Sequence, residues 1–250
     1  MDRNLIFDFT LSLEGVEFPV GLNNPFGKDI PKIAKLAAKE FQKFIAKESP
    51  KWGYDFSVRK GKMFGVLVIQ KPDGSFAYLG SVSGTAPART TSSRFVPSII
   101  EESGDVNWLL DGLTEIYYIN KDIHTKEEVV NVPELKTLRK TKSNELQKVL
   151  FEKYNFINLS GEEKNILEIF QSSPRKNPPS AAGECVAPKL LQYAIRHKLK
   201  PIALAEFWWG RSAKDSMQHG EYYPACFNRC RPILEYMLED ESLWDSAHKQ

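Results

Sequence analysis

The chain has 250 residues, of which 42% are hydrophobic and 26% are charged, and its formal net charge is +2. This composition indicates a globular protein and excludes one that binds nucleic acid through a large overall positive charge, so any basic surface must be local. Three cysteines do not make a disulfide framework, and the sequence shows neither a signal peptide nor an apolar run of membrane-spanning length, so we expect a cytoplasmic protein with no membrane partner.

The first third of the chain predicts a strand, a helix and a β-hairpin. Apolar side chains alternate between Leu5 and Leu13, as in a half-buried strand, and the helical period of residues 28–48 predicts an amphipathic helix. Residues 63–70 and 75–82 are two apolar runs joined by Lys-Pro-Asp-Gly, which predicts a tight turn between strands. Their nearly continuous apolar content predicts a sheet that is covered by helices on both faces. A polar loop is expected at residues 85–93.

The middle of the chain predicts a helical segment, residues 107–172, inserted into one α/β domain that spans residues 1–250. Pro133 separates a helix at 107–130 from a second helix at 135–154, and Ser160 with Glu163 resembles a capping box that starts a third. The second helix is rich in lysine and arginine. Such a run is typical of a solvated helix face, and the alternative is a helix that faces nucleic acid.

The last third predicts helix, strand, helix. A proline-rich loop at 172–183 leads into a helix at 186–197 with Pro188 in its first turn, then a buried strand at 201–209 and a closing helix at 226–239. The three cysteines fall at the starts of these two helices: Cys185 at the first, Cys226 and Cys230 at the second.

This placement predicts a zinc site with three protein ligands, Cys185, Cys226 and Cys230. Thiolates are favoured at helix N-termini, and the latter two cysteines share one face of a regular helix. Three ligands leave a coordination position open, as in catalytic zinc sites. The alternative is that all three are small buried apolar residues.

Several residues near these cysteines are candidates for chemistry or binding. Glu184 and Glu206 are the candidate acid/base residues, and Glu206 could equally pair with a nearby lysine or arginine. Trp208 and Trp209 could stack a base, but on a strand they must point to opposite faces. The polar candidates for substrate binding are Lys189 and His219, and His219 is also a candidate fourth ligand.

The order of hairpin, ligand at a helix start, strand and cysteine pair resembles the zinc-dependent nucleobase deaminases. The resemblance implies a three-layer α/β fold with a mixed sheet and helices on both faces. In those enzymes a glutamate follows two residues after the first ligand and moves protons. Here Ala187 occupies that position, and the cysteine pair is one residue wider than the usual spacing.

Several motifs also resemble, in order, a long N-terminal extension carried by a subset of bacterial RluA-like pseudouridine synthases. They are residues 61–68, 83–84, 95–97, 178–194, 205–210 and 223–234. The resemblance implies a link to RNA modification, but the His-Arg-Leu-Asp type motif that carries the synthase chemistry is absent from the sequence.

Three hypotheses follow from the sequence. The first is a zinc-stabilised module that binds structured RNA such as tRNA or rRNA, alone or with a separate modification enzyme. The second is an active zinc-dependent deaminase or hydrolase acting on a nucleobase or nucleoside. The third is a structural interaction domain without metal.

Overall fold

The computed structural model describes residues 5–58, 60–84, 94–102, 104, 106–125, 132–212 and 217–238. The loop expected at 85–93 lies outside these residues. The helices and strands, in chain order, are β1 (Ile6–Asp8), α1 (Lys32–Glu48), β2 (Lys62–Gln70), β3 (Phe76–Val82), α2 (Ile99–Glu102), α3 (Asn107–Thr125), α4 (Val132–Glu152), β4 (Asn155–Ile157), β5 (Glu163–Asn165), α5 (Ile166–Gln171), α6 (Val186–Arg196), β6 (Lys200–Trp209), β7 (Tyr222–Tyr223) and α7 (Phe227–Met237).

The main sheet has five strands in the order β1-β3-β2-β6-β7, and each pair of neighbours is antiparallel. The expected β2–β3 hairpin is confirmed. The expected mixed sheet is wrong, because β6 lies on the free edge of β2 and runs against it, with Lys200 opposite Gln70 and Trp209 opposite Lys62. The only parallel contact among the described residues is an isolated bridge between Lys60 and Arg211.

Helices cover both faces of this sheet, as the apolar strands predict. Helix α1 packs on one face through Ile33, Ala37, Phe41 and Ile45, all of them fully buried, which confirms the amphipathic helix. Helix α6 packs on the other face, and α7 packs against α6 in the same core cluster. The side chains of a strand point alternately to the two faces, so β6 contributes Leu204 to one core cluster and Phe207 to the other.

The segment at 107–172 contains an α3–α4 helical hairpin, a small β4–β5 sheet and helix α5. The capping box expected at Ser160 and Glu163 is wrong, because Glu163 belongs to β5. Helix α5 begins later, where the side chain of Asn165 accepts a hydrogen bond of 3.0 Å from the backbone N–H of Leu167. The amide of Asn165 also donates to the backbone oxygens of Phe151 and Glu152 at the end of α4, and these contacts hold it in the capping position.

The end of this segment is part of the core and is not a separate unit. Tyr154, Phe156, Ile166 and Phe170 are buried in the same cluster as α6 and α7. Among the described residues, no helix is long and apolar enough to cross a membrane.

Candidate metal centre

The three cysteines lie at the N-termini of two helices, α6 and α7, that pack against each other. Cys185 is the N-cap residue of α6 and Cys226 is the N-cap residue of α7, both with extended backbone, while Cys230 lies one turn into α7. Cys230 is buried, Cys185 is half-buried and Cys226 is exposed. The structure therefore brings together the three thiols that the sequence singles out.

The three thiols lie close enough to affect one another's ionisation. Interaction with Cys185 and Cys230 lowers the pKa of Cys226 to about 2, and the backbone N–H groups of Asn228 and Arg229 add to this. Interaction with Cys226, together with burial, raises the pKa of Cys185 to about 12, although Cys230 opposes the shift. Interaction with both other thiols, together with burial, raises the pKa of Cys230. Cys226 is thus the first of the three to ionise.

Proximity alone does not make a metal site. Within the described part of the chain, no three His, Cys, Asp or Glu side chains are arranged as a metal-binding group. The three thiols are near enough to influence one another's ionisation. Zinc remains a hypothesis that rests on the chemistry of the donor set.

Glu206 is the carboxylate whose charge acts on the thiols. It lies on β6, is 6% exposed, and accepts a hydrogen bond of 3.2 Å from the backbone N–H of Ala187. Burial raises its pKa to about 8, the Ala187 N–H opposes this, and the charge of Cys226 adds to it. The same carboxylate raises the pKa values of Cys185 and Cys230.

The space for Glu206 depends on small neighbours. Gly65 lies directly opposite Glu206 on β2, and a Cβ there would be 2.7 Å from Val186 Cγ1 and 3.2 Å from Glu206 Cγ. Ala187 is fully buried beside the carboxylate that it binds. A small crevice of about 10 Å³, lined by Asn24, Tyr223 and others, borders Glu206.

The side chain of Glu184 contacts a tyrosine and a lysine. Its carboxylate accepts a hydrogen bond from the hydroxyl of Tyr154 and lies 4.0 Å from the Nζ of Lys189. Glu184 therefore belongs to a polar network with Tyr154 and Lys189, whereas Glu206 is the carboxylate whose charge acts on the thiols.

Lys189 is 2% exposed and is not available to bind a substrate. Its Nζ donates hydrogen bonds to the backbone oxygens of Val82 at 2.6 Å and Gly84 at 3.0 Å. Burial lowers its pKa, and the nearby Glu184 carboxylate opposes that effect.

Trp208 and Trp209 lie on opposite faces of the sheet, as expected for neighbours on a strand. Trp208 lies on the face of Glu206, is half-buried, and donates from Nε1 to the oxygen of Gly210 at 2.9 Å. Trp209 packs on the other face against Phe207. His219 packs against Trp209 with tilted rings 4.1 Å apart between centroids, and its Nδ1 accepts from the N–H of Gly210.

Comparison with models of known protein families, with curated proteins and with solved structures finds no match to this chain. The interpretation of the site therefore rests on its own geometry.

Two residues near the site, Asn23 and Tyr154, could not be predicted from any pattern in the sequence. Asn23 pairs its side-chain amide with the backbone of Leu204, donating to its oxygen at 3.1 Å and accepting from its N–H at 2.7 Å. Tyr154 contacts the loop before Cys185. Gly65 could have been noticed, because a glycine inside an apolar strand often marks a close approach of neighbouring atoms.

Proposed function

We propose that this chain is a zinc-dependent hydrolase of the deaminase type that acts on a nucleobase or nucleoside. The observation that carries the proposal is the convergence of three thiols and one buried carboxylate at the N-termini of α6 and α7. The order of elements, with α1 on one face of the sheet and α6 on the other, supports the finer assignment of a three-layer deaminase-like fold.

The donor set suits zinc. Cys185, Cys226 and Cys230 would hold the ion as three thiolates, a set that favours zinc over hard cations such as Mg²⁺ or Ca²⁺. When bound, zinc would supply an activated water for attack on an amino-bearing ring carbon.

Glu206 would serve as the acid/base residue. Its carboxylate approaches the start of α6 from the neighbouring strand and binds the N–H of Ala187, the residue that stands where the deaminase glutamate is expected. A carboxylate in this place can accept a proton from the attacking water and deliver it to the substrate. Trp208 lies two residues further along β6 on the same face and would offer a ring for a planar substrate.

The test is release of ammonia from a panel of nucleobases and nucleosides by the zinc-reconstituted protein. We expect turnover of at least one compound, and a loss of about 10²-fold or more in Glu206→Gln with zinc retained. Glu235→Gln, on the exposed side of α7, is the matched control and should leave the rate unchanged. Turnover that survives Glu206→Gln, or no turnover from the whole panel, would overturn the proposal.

A second candidate is binding of structured RNA, which the exposed Lys136, Lys140 and Lys148 of α4 favour. Two other basic residues of α4 contact α3 instead: Lys142 lies 3.0 Å from Glu115, and Arg139 donates a hydrogen bond to Asn120. Filter binding of tRNA and rRNA fragments over a salt series tests it, since phosphate contacts give a steep salt dependence. Affinity no higher than that of an unrelated protein of equal charge would exclude it. A separate modification enzyme as partner remains part of this hypothesis.

A further inference from the structure

Tyr154 contacts both residues that precede Cys185. It follows α4 in the inserted segment and is 1% exposed. Its hydroxyl donates to Oε1 of Glu184, and its ring lies against Gly183, where a Cβ would be 3.0 Å from Tyr154 Cδ2. Gly183 has a φ of 91°, a conformation that glycine adopts readily, so the chain can turn under the ring and enter α6.

Glu184 is held from the opposite side as well. Its second carboxylate oxygen, Oε2, lies 4.0 Å from Nζ of Lys189, and its backbone oxygen accepts from the N–H of Gly84 at 2.8 Å. Lys189 in turn binds the backbone oxygens of Val82 and Gly84 at the end of β3. The residues on either side of Cys185 are therefore fixed to both the inserted segment and the sheet.

We propose that Tyr154 is a positioning residue for the metal centre, and that it sets the direction of the Cys185 thiol through Glu184 and Lys189. This inference rests on the proposed function, since the thiol must be placed for zinc. An N-cap residue takes its orientation from the chain that enters the helix, and Cys185 makes no capping hydrogen bond of its own. The contacts of residues 183 and 184 therefore determine where its Sγ points.

The variant that isolates this role is Tyr154→Phe, which removes one hydroxyl and keeps the ring. The matched control is Tyr236→Phe. Tyr236 is 6% exposed in the same core cluster, and its hydroxyl donates at 2.7 Å to the backbone oxygen of Glu162, away from Cys185. Both variants lose one hydrogen bond, so unfolding by urea should show similar small losses of stability.

The first readout is zinc affinity, measured by competition with a chromophoric chelator. We expect about 10-fold weaker binding in Tyr154→Phe, the size typical of residues that orient a metal ligand, and wild-type affinity in Tyr236→Phe. The second readout is the rate at which iodoacetamide modifies Cys185 in zinc-free protein, followed by peptide mass spectrometry. We expect this rate to change in Tyr154→Phe and to stay at the wild-type value in Tyr236→Phe.

The two readouts separate the inference from the function beneath it. If the wild-type protein takes up no zinc, the proposed metal centre fails, while the alkylation rate still reports whether Tyr154 positions Cys185. If Tyr154→Phe and Tyr236→Phe behave alike in both measurements, Tyr154 has only a packing role and the inference is overturned.

Discussion

The backbone N–H of Ala187 donates a hydrogen bond of 3.2 Å to the carboxylate of Glu206. Ala187 lies in the first turn of α6 and Glu206 lies on β6, so the bond joins a helix N-terminus to the strand below it. The helix N-terminus favours the charged form of Glu206, but burial opposes it more strongly and raises the pKa of the carboxyl to about 8. The N-terminus of α6 thus receives a carboxylate from a strand of the sheet.

Replacing Glu206 should separate its structural role from its chemical role. Glu206→Gln retains an oxygen that can accept the Ala187 N–H, and we expect its free energy of unfolding to stay close to the wild-type value. Glu206→Ala leaves that buried N–H without an acceptor and should lose about 1–3 kcal/mol. Urea unfolding of the two variants checks this. Equal stability of the alanine and glutamine variants would show that the bond is unimportant for folding.

Gly65→Ala should destabilise the protein by about 1–3 kcal/mol, because the new methyl group would lie 2.7 Å from both the oxygen of Ala205 and Val186 Cγ1. Backbone and a β-branched residue cannot move aside cheaply. The control is Gly112→Ala in α3, where the methyl group meets only the flexible end of Leu146 and the change favours the helix by roughly 0.5–1 kcal/mol. Thermal unfolding of both variants measures the contrast, and a neutral Gly65→Ala would contradict the packing described.

Glu40 connects the N-terminal segment to α1. Its carboxylate accepts from the N–H of Thr10 at 3.0 Å, from the Thr10 hydroxyl at 2.6 Å and from the N–H of Leu11 at 3.0 Å. Glu40→Ala should therefore cost about 1–3 kcal/mol, since these donors lose their acceptor. Glu48→Ala, which removes only a surface pair with Lys51, should cost less than about 1 kcal/mol. Similar losses in the two variants would show that the network around Glu40 adds nothing.

Glu102 should make stability depend on pH in an unusual direction. Burial raises its pKa above the ordinary 4.5, although the charges of Arg196 and His197 oppose the shift. The folded state then binds the proton more tightly than the unfolded state, so this residue's contribution falls as pH rises from about 4.5 through the raised value. Glu102→Gln removes that loss.

The measurement is the difference in unfolding free energy between Glu102→Gln and wild type at several pH values. The glutamine variant should gain relative to wild type as pH rises through this window, and the difference should then level off. A difference that does not change with pH would contradict the shifted pKa.

Much of the architecture could be predicted from local pattern. The Lys-Pro-Asp-Gly turn determines the β2–β3 hairpin, and the stripe from Ile33 to Ile45 determines α1, because both depend on neighbouring residues alone. The sequence predicts the start of α5 too early, because Ser160 and Asn165 are both possible caps and only the contacts of Asn165 with the end of α4 distinguish them.

The site could be predicted only in part. The cysteines can be recognised from the sequence, because there are only three of them and each lies at or near the start of a predicted helix. The choice between Glu184 and Glu206 could not be made from sequence, since it depends on which direction each side chain takes relative to α6. Likewise, the burial of Lys189 follows from long-range contacts with Val82 and Gly84 at the end of β3.

The most direct test of the account is X-ray absorption at the zinc edge, with metal analysis, on protein purified in the presence of zinc. We predict one zinc per chain with three sulfur ligands at about 2.3 Å and one lighter atom, and loss of the metal in Cys185→Ser and in Cys226→Ser. Protein that retains no zinc, or zinc whose ligands include no sulfur, would contradict the assignment of Cys185, Cys226 and Cys230 as a metal centre.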